Sequence, residues 1–117
     1  YKQIRLVDKR YGKPMMITEN GIATADEAKR KRYLEEHIAA VQQAREDGHD
    51  VRGYFVWSLL DNYEWHYGYD ATFGLGKMNP KTYARELKPA AFTYRDIIRR
   101  GGVKEIPASV QKAAKRR

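Results

Sequence analysis

Two stretches decide the fold: residues 15–21 read MMITENG, and residues 51–57 read VRGYFVW. The first is a short apolar run before a turn, and the second is rich in β-branched and aromatic residues, so both are predicted to be strands. Between them, Leu34, Ile38 and Val41 recur at i, i+4 and i+7, which predicts a helix with one face toward a core. A strand–helix–strand order predicts parallel strands, and parallel sheets are normally covered on both faces.

Helix-boundary signals flank these stretches. An amphipathic helix is predicted over residues 2–10, with Gly12 as its left-handed end. Thr24 followed three residues later by Glu27 matches a capping box and predicts the start of the central helix. Gly48 is predicted to close that helix.

The C-terminal third begins with a long aromatic loop, predicted over residues 58–80 with a short hairpin around residues 73–75. Pro89 then predicts the start of a final helix over residues 90–100. Beyond Pro107 the chain is rich in Ala and Lys, and two states stay open for it, a loose helix or disorder.

These elements predict an incomplete α/β structure. Two parallel strands cannot bury their own faces, so apolar strand residues such as Met16, Ile17 and Phe55 require neighbours that this chain does not supply. The first residues also read as the middle of a helix, so we expect a further segment to precede them.

The composition is that of a globular chain of 117 residues, with no cysteine and a formal net charge of +8. The missing cysteine excludes disulfides and suits a reducing cytoplasm, which is the predicted location. No apolar run approaches the roughly 20 residues that span a bilayer. The positive charge is concentrated in residues 29–32, interpreted as a solvated helix face, and in a frayed C-terminal end. The basic residues of that end are Lys112, Lys115, Arg116 and Arg117.

Glu19 ends an otherwise apolar strand. A carboxylate in that place is costly to bury unless it is paired, which makes it a candidate for function, and Asn20 is placed to support it. Taken alone, a residue such as Glu19 is more often a helix-adjacent or ion-paired carboxylate than a nucleophile.

The second candidate stretch, residues 57–65, reads WSLLDNYEW. Trp57 and Trp65 offer flat apolar surfaces and N–H donors, while Glu64 can accept two hydroxyl hydrogen bonds, which suits a sugar ring. The alternatives are a core position for Trp57 and a solvated loop position for Glu64. No spacing of His, Asp and Glu indicates a metal, and no pattern indicates a phosphate cradle or an activated Ser.

The string ITENG, followed by a helix and then WSLLDNYEW, resembles the C-terminal signature pair of glycoside hydrolase family 1. The resemblance covers about residues 11–101. It implies that residues 1–102 are the C-terminal part of a (β/α)8 TIM barrel, namely its last two strands and their helices. Residues 103–117 are then a basic tail.

The resemblance also implies roles for single residues. Glu19 would be the catalytic nucleophile of a retaining β-glycosidase, forming a covalent glycosyl-enzyme. Trp57 would lie beneath the glycone ring, Glu64 would accept hydrogen bonds from O4 and O6, and Trp65 would donate its indole N–H to a neighbouring hydroxyl. Family members that use 6-phosphorylated sugars avoid a carboxylate at the position of Glu64, so the expected substrates are neutral β-glycosides. No cofactor is expected.

One catalytic group is missing. Retaining glycosidases need a second carboxyl group as acid/base, which the family carries in an Asn-Glu-Pro motif, and that tripeptide does not occur here. We therefore expect activity only when the N-terminal part of the same barrel is present, as a second chain or segment. Two alternatives remain: a non-hydrolytic carbohydrate-binding or regulatory relative, and a basic module for nucleic acid or membrane surfaces.

Overall fold

The computed structural model describes residues 1–115. In chain order the elements are helix α1 (Lys2–Tyr11), strand β1 (Met15–Asn20), helix α2 (Glu27–Glu46), strand β2 (Val51–Val56), strands β3 (Gly76–Met78) and β4 (Arg85–Leu87), helix α3 (Pro89–Arg100) and helix α4 (Ala108–Lys115). A 3-10 turn, Trp65–Tyr67, interrupts the long loop after β2. None of these helices is long and apolar enough to cross a membrane.

The predicted parallel pairing of β1 with β2 is confirmed, with Met15 opposite Val51 and Ile17 opposite Tyr54. The two strands form a sheet of their own within the described residues, so each has one edge without a neighbouring strand there. Met16 and Phe55 are each 55% exposed. The expectation that this sheet lacks partners inside the chain is thus confirmed over residues 1–115.

Helix ends follow the sequence signals in most places. Gly12 ends α1 with φ of 55°, and its N–H donates to Asp8 O at 2.7 Å. Gly101 ends α3 in the same left-handed conformation, with φ of 76°. Pro89 stands in the first turn of α3, where its missing N–H costs no intrahelical hydrogen bond.

The predicted capping box of α2 is wrong. Asp26 is the N-cap, and its carboxylate accepts from Lys29 N at 3.0 Å. The Thr24 hydroxyl instead accepts from Asp26 N at 3.1 Å, forming a local turn before the helix. Glu27 is therefore the first helical residue, and its side chain pairs with Arg30 at 2.9 Å.

The predicted hairpin around residues 73–75 is also misplaced. The hairpin lies after it, where β3 and β4 pair in antiparallel fashion from Gly76–Leu87 to Met78–Arg85. Residues 73–75 are held by the chain that precedes them, since Leu75 N donates to Ser58 O at 2.8 Å. Strand β2 ends at Val56, one residue earlier than predicted.

A small core lies between α2, α3 and the end of the long loop. It consists of Leu34, Leu75, Ala90 and Ala91, with Val56 and Tyr94 packed against it. Helix α4 packs on α2, and Val110 is buried. The C-terminal region is therefore helical over residues 108–115, while the predicted frayed residues Arg116 and Arg117 lie outside the described residues.

Candidate active site

The predicted site residues lie where β1 and β2 end. Glu19 is the fifth residue of β1 and is exposed, and Asn20 is the last residue of that strand. Trp57 follows β2 directly, and its backbone N–H donates to Asn20 O at 2.9 Å. Because parallel strands end at the same edge of a sheet, Glu19 and the loop that starts at Trp57 share that edge.

Asn20 is held by Tyr54, a residue that no sequence motif marks. The Tyr54 hydroxyl donates to Asn20 Oδ1 at 2.9 Å across the two strands. Burial raises the pKa of Tyr54, and the neighbouring Tyr33 and Tyr94 raise it further, so the hydroxyl keeps its proton at neutral pH. A single tyrosine in a strand carries no sequence signal for this contact, which depends on the strand register.

Trp57 and Glu64 contact each other directly. The Trp57 indole Nε1–H donates to Glu64 Oε1 at 2.9 Å, and both residues are half-buried. A hydrogen bond to a carboxylate is charge-assisted, so it holds the Glu64 side chain in one orientation. The remaining lone pairs of Glu64 are left to accept hydrogen bonds from a ligand.

Trp65 follows Glu64 and opens the 3-10 turn with φ of 50°. A left-handed backbone conformation is uncommon for a residue with a bulky side chain, and such positions cluster at functional sites. Trp65 is 81% exposed. Its role as a sugar contact stays a prediction, as do the roles of the other four predicted residues.

Asp61 is a structural residue of the loop. Its Oδ1 accepts from Gly74 N at 2.8 Å and from Lys88 Nζ at 2.8 Å, and both charged side chains are mostly buried. This ion pair fixes the first part of the aromatic loop to the start of α3. Asp61 is thus occupied by structural contacts in the described chain.

The burial of Arg30 contradicts one prediction made from the sequence. The sequence predicts that residues 29–32 form a solvated helix face, but Arg30 is only 2% exposed. Its guanidinium donates to backbone carbonyls on both loops that leave the strands, residues 21–26 and residues 57–75. Within residues 1–115 no group of three or more His, Cys, Asp or Glu side chains is arranged to hold a metal ion.

Comparisons with known proteins identify the family to which this fold belongs. The family model of glycosyl hydrolase family 1 matches residues 1–103. The β-galactosidase of Sulfolobus acidocaldarius is 46% identical over 96 residues, which are 82% of this chain and 20% of that protein. β-Glucosidase A of Acetivibrio thermocellus is 38% identical over 112 residues, which are 87% of this chain and 25% of that protein.

Solved structures give the same result. The β-glycosidase of the hyperthermophile Thermosphaera aggregans superposes with a TM-score of 0.85 at 38% identity, covering 96% of this chain and 23% of that one. A family 1 β-glucosidase from Thermotoga maritima superposes with a TM-score of 0.86 at 33% identity, covering 90% of this chain and 26% of that one.

The fold and the matches define a class, the TIM-barrel glycoside hydrolases. The chain belongs to glycosyl hydrolase family 1, since the family model covers most of its length. It spans about a fifth to a quarter of the relatives described above.

Proposed function

We propose that the chain supplies the nucleophile and part of the glycone site of a retaining β-glycosidase. The observation that carries the proposal is the shared edge, where Glu19 is the last but one residue of β1 and the Trp57–Glu64 pair follows β2. In TIM barrels the active site is built from the C-terminal ends of the strands and the loops that follow them. The chain is then the C-terminal part of the barrel, with its last two strands.

The proposed reaction has two steps. The Glu19 carboxylate attacks the anomeric carbon while an acid/base carboxyl group, about 5–5.5 Å away, protonates the departing oxygen. The glycosidic bond breaks and an ester bond forms between the sugar and Glu19. Water, deprotonated by the same acid/base group, then releases the sugar with net retention and restores the carboxylate.

The proposed substrates are neutral β-glycosides. Trp57 gives an apolar platform for a ring face, Glu64 accepts from two sugar hydroxyls, and Trp65 donates its N–H. The negative charge of Glu64 would repel a 6-phosphate. Relatives named as β-glucosidase, β-galactosidase and bifunctional β-D-glucosidase/β-D-fucosidase support this substrate class.

The proposed partner of the chain is the N-terminal part of the same barrel, in one polypeptide or in two. Its strands would pair with the free edges of β1 and β2 and cover Met16 and Phe55. It would also bring the acid/base carboxyl group. The completed protein, meaning this chain with that part, is therefore the species to assay.

Hydrolysis of an aryl β-glucoside by the completed protein tests the proposal. Glu19→Gln is nearly isosteric and should lower the rate by about 10³-fold or more, because loss of the nucleophile in other hydrolases costs at least as much. Glu35→Gln, at an exposed position of α2, is the matched control and should keep the wild-type rate.

Two outcomes would contradict the proposal. Full activity of Glu19→Gln would exclude Glu19 as the nucleophile. A completed wild-type protein that binds the glucoside and releases no aglycone would favour the non-hydrolytic carbohydrate-binding alternative.

A further inference from the structure

Arg30 uses all of its hydrogen-bonding capacity inside the protein. A guanidinium has five N–H donors in a fixed planar fork. The five acceptors are Glu27 Oε1 at 2.9 Å, Ile22 O at 2.9 Å, Phe73 O at 3.0 Å, Thr72 O at 3.0 Å and Thr24 O. A buried charge is tolerated only with such complete pairing. The backbone around Arg30 is therefore arranged to satisfy its guanidinium.

Four of these acceptors belong to two loops. The carbonyls of Ile22 and Thr24 lie in residues 21–26, which follow the strand of Glu19, and those of Thr72 and Phe73 lie in residues 57–75, which carry Trp57 and Glu64. The loops also contact each other, since Thr24 N donates to Thr72 O at 3.2 Å and Thr72 Oγ1 donates to Thr24 O at 3.2 Å. Arg30 therefore braces the two loops against each other.

The brace lies close to the proposed active site along both loops. Ile22 is three residues from Glu19, and Phe73 O also accepts from Ser58 N at 3.4 Å. At the strand ends, a Cβ added to Gly21 would stand only 1.8 Å from Trp57 O, so the two backbones are already in close contact. The two loops that Arg30 links thus also meet at Gly21 and Trp57, beside Glu19.

We infer that Arg30 is a positioning residue for glycosyl transfer: its guanidinium fixes the distance between the nucleophile and the loop that holds the glycone. This inference rests on the proposed function. Rates of such steps are sensitive to geometry, and a displacement of about 1 Å can cost about 100-fold.

Lysine cannot replace this arrangement. An ammonium group has three donors on one nitrogen and no planar fork, so it can satisfy at most three of the five acceptors and cannot hold both pairs of carbonyls at once. Arg30→Lys therefore keeps the charge and weakens the brace. Arg32, two residues along α2, is exposed, and Arg32→Lys is the matched control.

The test uses the completed protein and an activated 2-deoxy-2-fluoro-β-glucoside, which traps the glycosyl-enzyme. Mass spectrometry over time measures two quantities: the fraction of protein labelled at completion, and the first-order rate constant of labelling. Arg30→Lys should reach nearly full labelling with a rate constant about 10- to 100-fold lower, whereas Arg32→Lys should match the wild type. Hydrogen exchange should become faster in residues 21–26 and 57–75 of Arg30→Lys while α2 stays protected.

The fraction and the rate constant separate positioning from stability. If Arg30→Lys lowers only the labelled fraction and keeps the wild-type rate constant, the positioning role is wrong. If Arg30→Lys does not fold, Thr72→Val removes one of the links between the same loops and leaves the buried charge in place. A several-fold slower labelling of Thr72→Val supports the inference, and an unchanged rate constant overturns it.

The wild-type arm distinguishes this inference from the proposed function. A wild-type protein that is not labelled on Glu19 contradicts the proposed function, and with it the positioning role that rests on that function. A wild-type protein labelled on Glu19, together with unchanged labelling rate constants in the loop variants, overturns the positioning role alone.

Discussion

At the scale of single residues, a hydrogen bond joins two of the proposed sugar-binding residues, Trp57 and Glu64. The indole donates to the carboxylate at 2.9 Å, so the residue proposed as the sugar platform also orients the residue proposed to bind sugar hydroxyls. The sequence predicted both residues as separate sugar contacts. It carried no signal for their mutual hydrogen bond, which depends on the path of the chain between them.

Trp57→Phe should lower kcat/KM for an aryl β-glucoside by about tenfold or more in the completed protein. The variant keeps an aromatic face but removes a charge-assisted hydrogen bond, and such bonds contribute about 1.5–3 kcal/mol. The matched experiment repeats the substitution in a Glu64→Gln background, where the further loss should be several-fold smaller. Equal losses in both backgrounds would mean that the contact does not orient Glu64.

Arg30 shows the limit of residue-level prediction. It lies in a run of four basic residues, Lys29–Arg30–Lys31–Arg32, and nothing in that run distinguishes the buried side chain from its exposed neighbours. Its acceptors are mostly backbone carbonyls, which any residue provides. Only the folded positions of residues 21–26 and 57–75 reveal why one arginine of the run is buried.

At the scale of helices and strands, the sequence predicted the elements better than their ends. The period of Leu34, Ile38 and Val41 correctly indicated α2, because apolar residues at this spacing share one face in a helix and would not do so in a strand. The predicted start of α2 was wrong because two local hydrogen-bond patterns compete there. Thr24 forms a turn with Asp26, and the Asp26 carboxylate takes the capping position.

The hairpin of β3 and β4 was misplaced for a related reason. Phe73, Gly74 and Leu75 resemble a short hairpin in composition, but their backbone groups are already bonded to residues of the loop after β2, including Ser58 and Asp61. Contacts that are distant in sequence thus prevail over the local pattern. The C-terminal alternatives were decided in the same way, since α4 packs on α2 with Val110 buried.

The link between β1 and β2 predicts a pH dependence through Tyr54. Burial raises the pKa of this group above the value of about 10 of an unfolded tyrosine. Below about pH 10 both states keep the proton; above it the unfolded state loses its proton first, so stability falls as the pH rises toward the folded pKa. Tyr54→Phe lacks this decline.

Urea unfolding of the completed protein at about pH 8 and about pH 11 measures the effect. At the lower pH, Tyr54→Phe should be less stable than the wild type by about 1 kcal/mol, because the hydrogen bond to Asn20 is lost. At the higher pH the difference should shrink. A difference that stays constant across this range would show that the Tyr54 hydroxyl is not protected from titration.

At the scale of the whole molecule, the described residues do not supply enough strands and helices to cover both faces and edges of the parallel sheet. The sheet of β1 and β2 has two strands, and large apolar side chains such as Met16 and Phe55 are 55% exposed. Two-stranded sheets with open edges are marginal in water. The small core beside α2 and α3 does not cover these residues.

The chain on its own should therefore show no cooperative thermal transition by circular dichroism and should bind a hydrophobic dye. The completed protein, melted under the same conditions, should unfold cooperatively and bind little dye. A stable, cooperative monomer formed by residues 1–117 alone would contradict the view that the chain is part of a larger barrel.

The most direct measurement of the central claim is the site of covalent labelling in the completed protein. After reaction with the 2-deoxy-2-fluoro-β-glucoside, peptide mapping should find the added sugar mass on one peptide, attached to Glu19. Glu19→Gln should remain unlabelled under the same conditions. Labelling of any other residue, or of none while the substrate is still hydrolysed, would contradict the assignment of Glu19 as the nucleophile.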